Sequence, residues 1–318
     1  MTASRVLVTG ARGLVGEALV FRLMVDQKHI PVAAVRGVTR LSGLCSVLPL
    51  ELTASADLPD FTHIDVVVHA AARVHVMREN VTDVMEAFRK VNVEGTVRLA
   101  LAAAAAGVKR FIFISSIKVN GESTLAGKAF QADDLPYPED AYAISKYEAE
   151  QRLRQIGQDT GMEIVIIRPP LVYGPGVKAN FLTMLKFVGK NIPLPLGMIK
   201  NRRSFVSIYN LTDFIVTCID HPGAANNTFL VSDDCDVSTT KLMRLLASAM
   251  KKKSRLVPVP SVLLKTVGML LCKRTVVHRV CDSLQVDINK NRILLGWSPP
   301  VNIEVAIQRT VHFYQEKR

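Results

Sequence analysis

Tyr142 and Lys146 stand four residues apart in Tyr142-Ala-Ile-Ser-Lys146, a spacing that puts both side chains on one face of a helix. An ammonium beside a phenol favours the phenolate, so the pair should lower the tyrosine's pKa towards a useful range. Such a tyrosine takes a proton from a sugar hydroxyl, or gives one to a ketone, while hydride moves to or from a nicotinamide. Upstream, Phe111-Ile-Phe-Ile-Ser115-Ser116 ends a strand-like run with two hydroxyls, either of which can hydrogen-bond the reacting oxygen. Tyr-x-x-x-Lys alone is common on helix surfaces. Its weight here comes from the order of the motifs: a Gly-rich turn, then Asp65-Val-Val-Val-His-Ala-Ala-Ala72, Asn92, Ser115-Ser116, and the Tyr/Lys pair.

The Gly-rich turn is Thr9-Gly10-Ala-Arg-Gly13-Leu-Val-Gly16, between the first strand-like segment and the first helix. Gly10 permits the tight turn, Gly13 lets the backbone approach a pyrophosphate, and Gly16 lets the helix pack closely on a sheet. The helix N-terminus then offers free N–H groups and a positive dipole end to the phosphates. NAD binders place a carboxylate at the end of the second strand for the ribose 2′-hydroxyl. This chain instead reads Ala33-Ala-Val-Arg36-Gly-Val-Thr-Arg40. Either Arg36 and Arg40 are solvated surface residues, or they pair with a 2′-phosphate, which favours NADP over NAD.

These residues need a scaffold, and the apolar pattern supplies one. Val6–Thr9, Pro31–Val35, Asp65–Ala70, Phe111–Ser115 and Glu163–Arg168 read as strands. Val15–Val25, Val81–Ala106 (ending at Gly107) and Tyr142–Gly157 read as the helices between them. Strands alternating with helices imply an α/β fold with a doubly wound parallel sheet, its strand C-termini along one ligand-binding edge. After Pro169 prolines and glycines become dense. We expect residues 1–175, plus a strand returning near 228–231, to form the dinucleotide-binding domain, and 176–318 mostly a smaller, mainly helical substrate cap.

Hydrophobic residues are 49% and charged residues 21% of 318, which excludes disorder and a disulfide scaffold. The formal charge is +12, and residues 251–318 hold 13 basic against 4 acidic residues. That basic tail suits an anionic ligand, a nucleic acid or an anionic membrane face, or is simply solvated. Aromatics are only 6% and do not alternate with the basic residues, which argues against nucleic acid. The five cysteines form no C-x-x-C pair, so no metal site is expected, and reduced thiols fit a cytoplasmic protein. No apolar run is long enough for a membrane span. The nearest, Leu256–Cys272, is broken by two prolines and Lys265 and reads as an amphipathic helix.

The motif set resembles the extended short-chain dehydrogenase/reductases, in the NAD-dependent epimerase/dehydratase family with its Rossmann-like fold. It is most similar to nucleotide-sugar 4-epimerases, dehydratases and reductases of the UDP-glucose 4-epimerase type. The string Ala71-Ala-Arg-Val-His75-Val-Met resembles a bacterial surface-polysaccharide (O-antigen type) subgroup. The resemblance implies catalytic roles for Ser116, Tyr142 and Lys146, with Ser115 the alternative to Ser116. Implied cofactor contacts fall on Gly10, Arg12, Gly13, Leu14, Val15, Gly16, Arg36, Leu52, Ala70, Ala71, Ala72, Asn92, Ser115, Tyr142, Lys146 and Pro169. Asn180, Arg203 and Arg279 fall where the family holds a UDP-linked sugar, Arg203 rather than Arg202 matching the arginine on the diphosphate. His75 either reaches substrate or packs.

Two departures stand out. Glu51 replaces the usual Asp after the third strand, and Asn120 stands where epimerases commonly carry a tyrosine. Arg36 and the missing carboxylate beside it, with the departure at Asn120, favour reduction of a UDP-4-keto(-6-deoxy) sugar with NADPH over 4-epimerisation with NAD. A non-catalytic NADP sensor is disfavoured because both Tyr142 and Lys146 are present. The resemblance also allows a homodimer.

Overall fold

The computed structural model describes residues 3–53, 58–74, 84–125, 127–271 and 274–317. The first half runs β1 (Ser4–Thr9), α1 (Leu14–Asp26), β2 (His29–Val35), β3 (Ser46–Pro49), β4 (Val66–His69), α2 (Val84–Arg89), α3 (Gly95–Ala105), β5 (Arg110–Ile114), α4 (Ala141–Thr160) and β6 (Glu163–Arg168). The second half runs β7 (Leu171–Tyr173), α5 (Ala179–Gly189), β8 (Phe205–Ser207), α6 (Ile208–Asp220), β9 (Thr228–Leu230), α7 (Thr239–Ala249), α8 (Ser261–Leu270), α9 (Arg274–Cys281), α10 (Asn289–Leu295) and α11 (Ile303–Glu316).

Seven strands pair in the order β3-β2-β1-β4-β5-β6-β9, every pairing parallel. The expected strand near 228–231 does return to this sheet, as β9 beside β6. β4 and β5 are buried along their whole length. That is why Val66-Val-Val and Phe111-Ile-Phe-Ile read as continuous apolar runs rather than alternating ones. The strand order reverses between β1 and β4, so a crevice opens outside their carboxyl ends, where Thr9 and His69 stand.

α4 is delimited by its own sequence. The Asp140 carboxylate accepts the Ala143 N–H at 2.7 Å, and Gly161, at φ 77°, ends the helix in the left-handed conformation. The expected helix over 81–106 is interrupted by a π turn at Lys90–Glu94, and its first residues, 81–83, lie outside the described ones. The cap is interleaved with the sheet layer rather than following it. One core cluster joins Val6, Leu19 and Ile112 to Phe214, Phe229 and Trp297, while a second gathers Tyr173, Phe181, Leu246 and Ile307 in the helical part. Two short strands, β7 and β8, pair with each other between the layers. Trp297 is structural: its indole N–H donates to Asp213 at 2.9 Å and its ring packs on Phe214.

A buried ion pair fastens α4 to β6. Arg168 Nε donates to Glu150 Oε1 at 2.9 Å and Nη2 to Oε2 at 2.5 Å, with Glu150 fully buried and Arg168 1% exposed. Ser115 Oγ, just past β5, donates to Glu150 Oε1 at 2.5 Å, and Arg168 Nη1 donates to Asn120 Oδ1 at 3.0 Å. Removing one partner leaves the other charge buried and uncompensated. Glu150→Ala should cost about 3–5 kcal/mol in urea unfolding, whereas Glu150→Leu combined with Arg168→Met should recover much of it. A loss below about 1 kcal/mol for the single variant would mean water reaches Arg168.

Candidate active site

Two helices and three strand ends converge on the crevice. Gly10 turns the chain at φ +66°, and a Cβ there would lie 2.8 Å from Ala70 C and Ala71 N. A Cβ on Gly16 would lie 2.3 Å from the Gly10 carbonyl, so helix and turn meet only because both residues are glycine. Gly13 caps α1 without a side-chain hydrogen bond, which leaves the first-turn N–H groups of Leu14 and Val15 uncapped. This is a cradle for an anionic group at a helix N-terminus, and Arg12 is exposed beside it. The residues therefore fit the pyrophosphate of a dinucleotide. Ala70, Ala71 and Ala72 follow β4 and are half-buried opposite the turn.

Under the crevice runs a chain of hydrogen bonds anchored on a buried histidine. Thr9 Oγ1 lies 2.7 Å from His69 Nδ1 and accepts from the Ala71 N–H at 3.2 Å. His69 Nε2 lies 3.0 Å from Thr96 Oγ1, which itself donates to the Asn92 carbonyl at 2.8 Å. With Thr96 donating elsewhere, Nε2 must carry the ring proton and Nδ1 must accept from Thr9. Burial, then the Lys146 charge, hold His69 down to about 3, so the ring is neutral. Asn92 sits on the π turn. Its amide accepts from Arg73 N at 2.8 Å and donates to Arg73 O at 3.1 Å and to Ser145 Oγ at 3.0 Å. The residue expected against the cofactor thus ties the loop after β4 to the helix that carries the Tyr/Lys pair.

The two serines part company. Ser115 is buried and its hydroxyl is committed to Glu150, while Ser116 is half-buried and its Oγ only accepts the Lys118 N–H, at 3.3 Å. Of the two, Ser116 keeps a proton to donate outward. Pro169 is buried, its carbonyl accepting the Ile117 N–H at 3.0 Å.

Tyr142 and Lys146 lie on the first turns of α4, but their electrostatics reverse the sequence expectation. Burial, then the Asp140 carboxylate, push the Tyr142 phenol up to about 12. Burial pulls the Lys146 ammonium down to about 7, against the opposing charge of Glu150. Lys146 Nζ donates to the Ile114 carbonyl at 2.9 Å and sits 4.4 Å from the centre of the Phe113 ring. Desolvation outweighs the pairing that the spacing suggested, so the chain's own residues do not activate the phenol.

The other expected residues separate. Arg40 is taken by a two-pronged pair with Glu17, at 2.7 and 2.6 Å, and Arg36 is exposed. Only Arg36 is left for a 2′-phosphate. Glu51 Oε1 folds back onto the N–H groups of Leu52 and Thr53, and Leu52 is buried against Gly95. Asn120, standing where epimerases commonly carry a tyrosine, is buried and bridges Arg168 to the Gln131 carbonyl. On the opposite wall Arg203 is half-buried, its Nη1 donating to Asp282 O at 2.9 Å, with Glu122, Asp282 and Arg279 close enough to act on its charge. Arg279 and Arg202 are exposed, and Asn180 stands exposed on the first turn of α5. His75 lies outside the described residues. Sequence reasoning missed Lys118, which joins Glu122 near Arg203 to Asp140 at the cap of α4, the latter at 2.6 Å. Its i, i+4 spacing to Glu122 was the available signal. Among the described residues no group of histidines, cysteines and carboxylates could hold a metal ion.

Comparison with known proteins agrees with this geometry. Residues 6–232 match the model of the NAD dependent epimerase/dehydratase family. The chain is 48% identical over 312 residues to a UDP-glucose 4-epimerase of Vibrio cholerae, covering 97% of this chain and 95% of that protein. It is 25% identical to the N-acetyl-alpha-D-glucosaminyl-diphospho-ditrans,octacis-undecaprenol 4-epimerase of Escherichia coli O157:H7, over 97% and 94% of the two chains. Its fold matches the crystal structure of a UDP-glucuronic acid 4-epimerase from Bacillus cereus in complex with NAD, with TM-score 0.79 at 19% identity over 98% and 99% of the chains. The chain belongs to the NAD-dependent epimerase/dehydratase family and is a nucleotide-sugar enzyme of the C4 epimerase/dehydratase type.

The depressed Lys146 has a measurable consequence. Below about pH 7 the group is protonated in both the folded and the unfolded chain. Between about 7 and the ordinary 10.5 only the unfolded chain holds the proton, so stability gains as pH rises across that window. Lys146→Met lacks this gain. Near pH 6 the variant should be as stable as the wild type or more so, by on the order of a few kcal/mol at most, and it should fall behind near pH 10. A stability difference that does not change with pH in paired thermal melts would show that Lys146 is not desolvated.

Proposed function

We propose that this member of the family inverts the configuration at C4 of a UDP-linked hexose. The carrying observation is the placement of Tyr142 and the buried Lys146 on the first turns of α4, with the free hydroxyl of Ser116 past the end of β5. A nicotinamide dinucleotide, when bound, supplies the hydride acceptor and donor, and in its oxidised form a positive ring charge. Leu14 and Val15 N–H groups, with Gly10, Gly13 and Arg12, would hold its pyrophosphate. As a phenolate, which the positive charges of the oxidised ring and of Lys146 would favour against burial, Tyr142 Oη would take the O4 proton as the hydroxyl becomes a ketone, and the phenol so formed would return it afterwards. Ser116 Oγ donates a hydrogen bond to the same oxygen. Lys146 contributes positive charge beneath the phenol. Arg203 and Arg279 hold the diphosphate, the planar guanidinium matching its oxygens.

Reduction of a UDP-4-keto sugar with NADPH is the second reading, supported by the exposed Arg36 and the missing carboxylate beside it. The pairing of Arg40 with Glu17 takes away half of that argument. The identity to a UDP-glucose 4-epimerase supports epimerisation.

Tyr142→Phe should lose at least ~10²-fold in kcat while still binding cofactor. Near-wild-type turnover would exclude Tyr142 as the proton-transfer group. Arg203→Ala should raise KM for the nucleotide sugar far more than for the cofactor, and equal weakening of both would make Arg203 structural. To separate the readings, purified enzyme is given UDP-glucose or UDP-GlcNAc with NAD⁺, and in parallel a UDP-4-keto-6-deoxy sugar with NADPH. Interconversion of the hexoses without net cofactor change is expected. NADPH oxidation without interconversion would replace epimerisation by reduction.

A further inference from the structure

The hairpin of α8 and α9 does not behave like the rest of the surface. Of the apolar residues of α8 only Leu264 and Gly268 are turned inward. Gly268 lets the two helices touch, since a Cβ there would lie 2.4 Å from Val277 Cγ2. The outward side is apolar as well: Val262 is 73% exposed, Leu270 77% and Leu271 65%, with Leu263, Val267, Met269 and, on α9, Val276 also exposed. A surface helix of a globular protein normally presents polar residues there.

Its charge is as one-sided as its apolarity. From the start of α8 to the end of α9, residues 261–281 contain four Lys and Arg and no Asp or Glu, and the ten residues before them, 251–260, add four more basic residues and no acidic one. The first acidic residue after them, Asp282, is occupied within the hairpin base, by Lys265 Nζ at 2.7 Å and His278 Nδ1 at 2.6 Å. The exposed side chains are aliphatic, so they offer no stacking platform for nucleic-acid bases. A second copy of the same hairpin would bring two acid-free basic faces together, and like charges oppose that. An anionic bilayer surface accepts both features at once: aliphatic side chains enter the acyl boundary and the basic rim meets the headgroups.

We infer that the α8–α9 hairpin is a peripheral membrane-docking element that seats the protein on anionic phospholipid. The hairpin does not span the bilayer, and no described helix is long and apolar enough to do so. Its base is tied to the active-site wall, where Arg203 Nη1 donates to the Asp282 carbonyl. Docking therefore holds the diphosphate-facing arginines near the membrane surface. This assignment rests on the hairpin alone and not on the choice between epimerisation and reduction.

The test is co-sedimentation of the full-length protein with vesicles of phosphatidylethanolamine and phosphatidylglycerol, beside vesicles of phosphatidylcholine alone. The protein should pellet with the anionic vesicles only, and less as salt is raised. Leu270→Glu combined with Leu271→Glu should weaken the partition coefficient by at least about tenfold, with an unchanged melting temperature and unchanged turnover of soluble substrate. The milder set Val262→Ser, Met269→Ser and Leu270→Ser should weaken it in the same direction. Wild-type protein that stays in the supernatant, or variants that pellet as well as wild type, would overturn the proposal. So would a dimer in light scattering that both sets of variants dissolve, or retention by duplex DNA without vesicle binding.

Discussion

A charge that cannot reach water must find its partner inside, and Glu150 imposes that condition on everything around the site. Its carboxylate is fully buried on α4, Arg168 comes to it from β6, the Ser115 hydroxyl donates to it from the end of β5, and Arg154 one turn along α4 stands 3.6 Å away. Arg168 in turn needs a third acceptor, and Asn120 provides it from the loop beyond. Three consecutive pieces of backbone are thereby fixed to the helix that carries Tyr142 and Lys146. The ion pair is not a source of net stability in itself, since desolvation offsets most of the attraction. Its effect is to specify one arrangement of α4 against the sheet, because any other leaves a charge unpaired.

The neutral side of the site follows the same logic. His69 at the end of β4 cannot be charged in its apolar surroundings between Phe111 and Phe113, so it acts as a fixed donor and acceptor between Thr9 and Thr96. The π turn then points Asn92 at both Arg73 and Ser145. A regular α-helix over the same residues would rotate Asn92 away, so one inserted residue per turn re-aims a side chain. The glycine turn, the loop after β4 and the helix that carries Tyr142 and Lys146 become a single hydrogen-bonded unit.

Desolvation also explains why the Tyr142–Lys146 pair rests unactivated. Both groups favour their neutral forms, the phenol by rising and the ammonium by falling. A site in this condition gains from a ligand that brings its own charge, and it keeps bulk water from competing for the proton. On the opposite wall the charges are arranged differently. Arg203 is close to the carboxylate of Glu122 as well as to Arg279, so it is held in place without being neutralised by a single dedicated partner.

Much of the molecule was legible from its residues. Continuous Val/Ile/Phe runs separated by helical stretches determine a parallel sheet, because only strands buried on both faces need apolar residues at every position. Gly10 and Gly16 determine the turn, because no Cβ fits where they stand. The spacing of Tyr142, Lys146 and the two serines determined which chemistry to look for. What the sequence could not decide is which polar group spends its hydrogen bonds where. Whether Ser115 or Ser116 is free depends on a glutamate 35 residues away, and whether Arg40 can reach a phosphate depends on Glu17, 23 residues earlier. Asn120 reads only as a departure from the epimerases' tyrosine until Arg168 is brought 3.0 Å from it. The direction of the Tyr142 and Lys146 shifts is likewise tertiary. Spacing along a helix reports that two groups are neighbours, but only the packing of the sheet, the helix and the loop around them sets how much water remains, and desolvation here is larger than the pair's attraction.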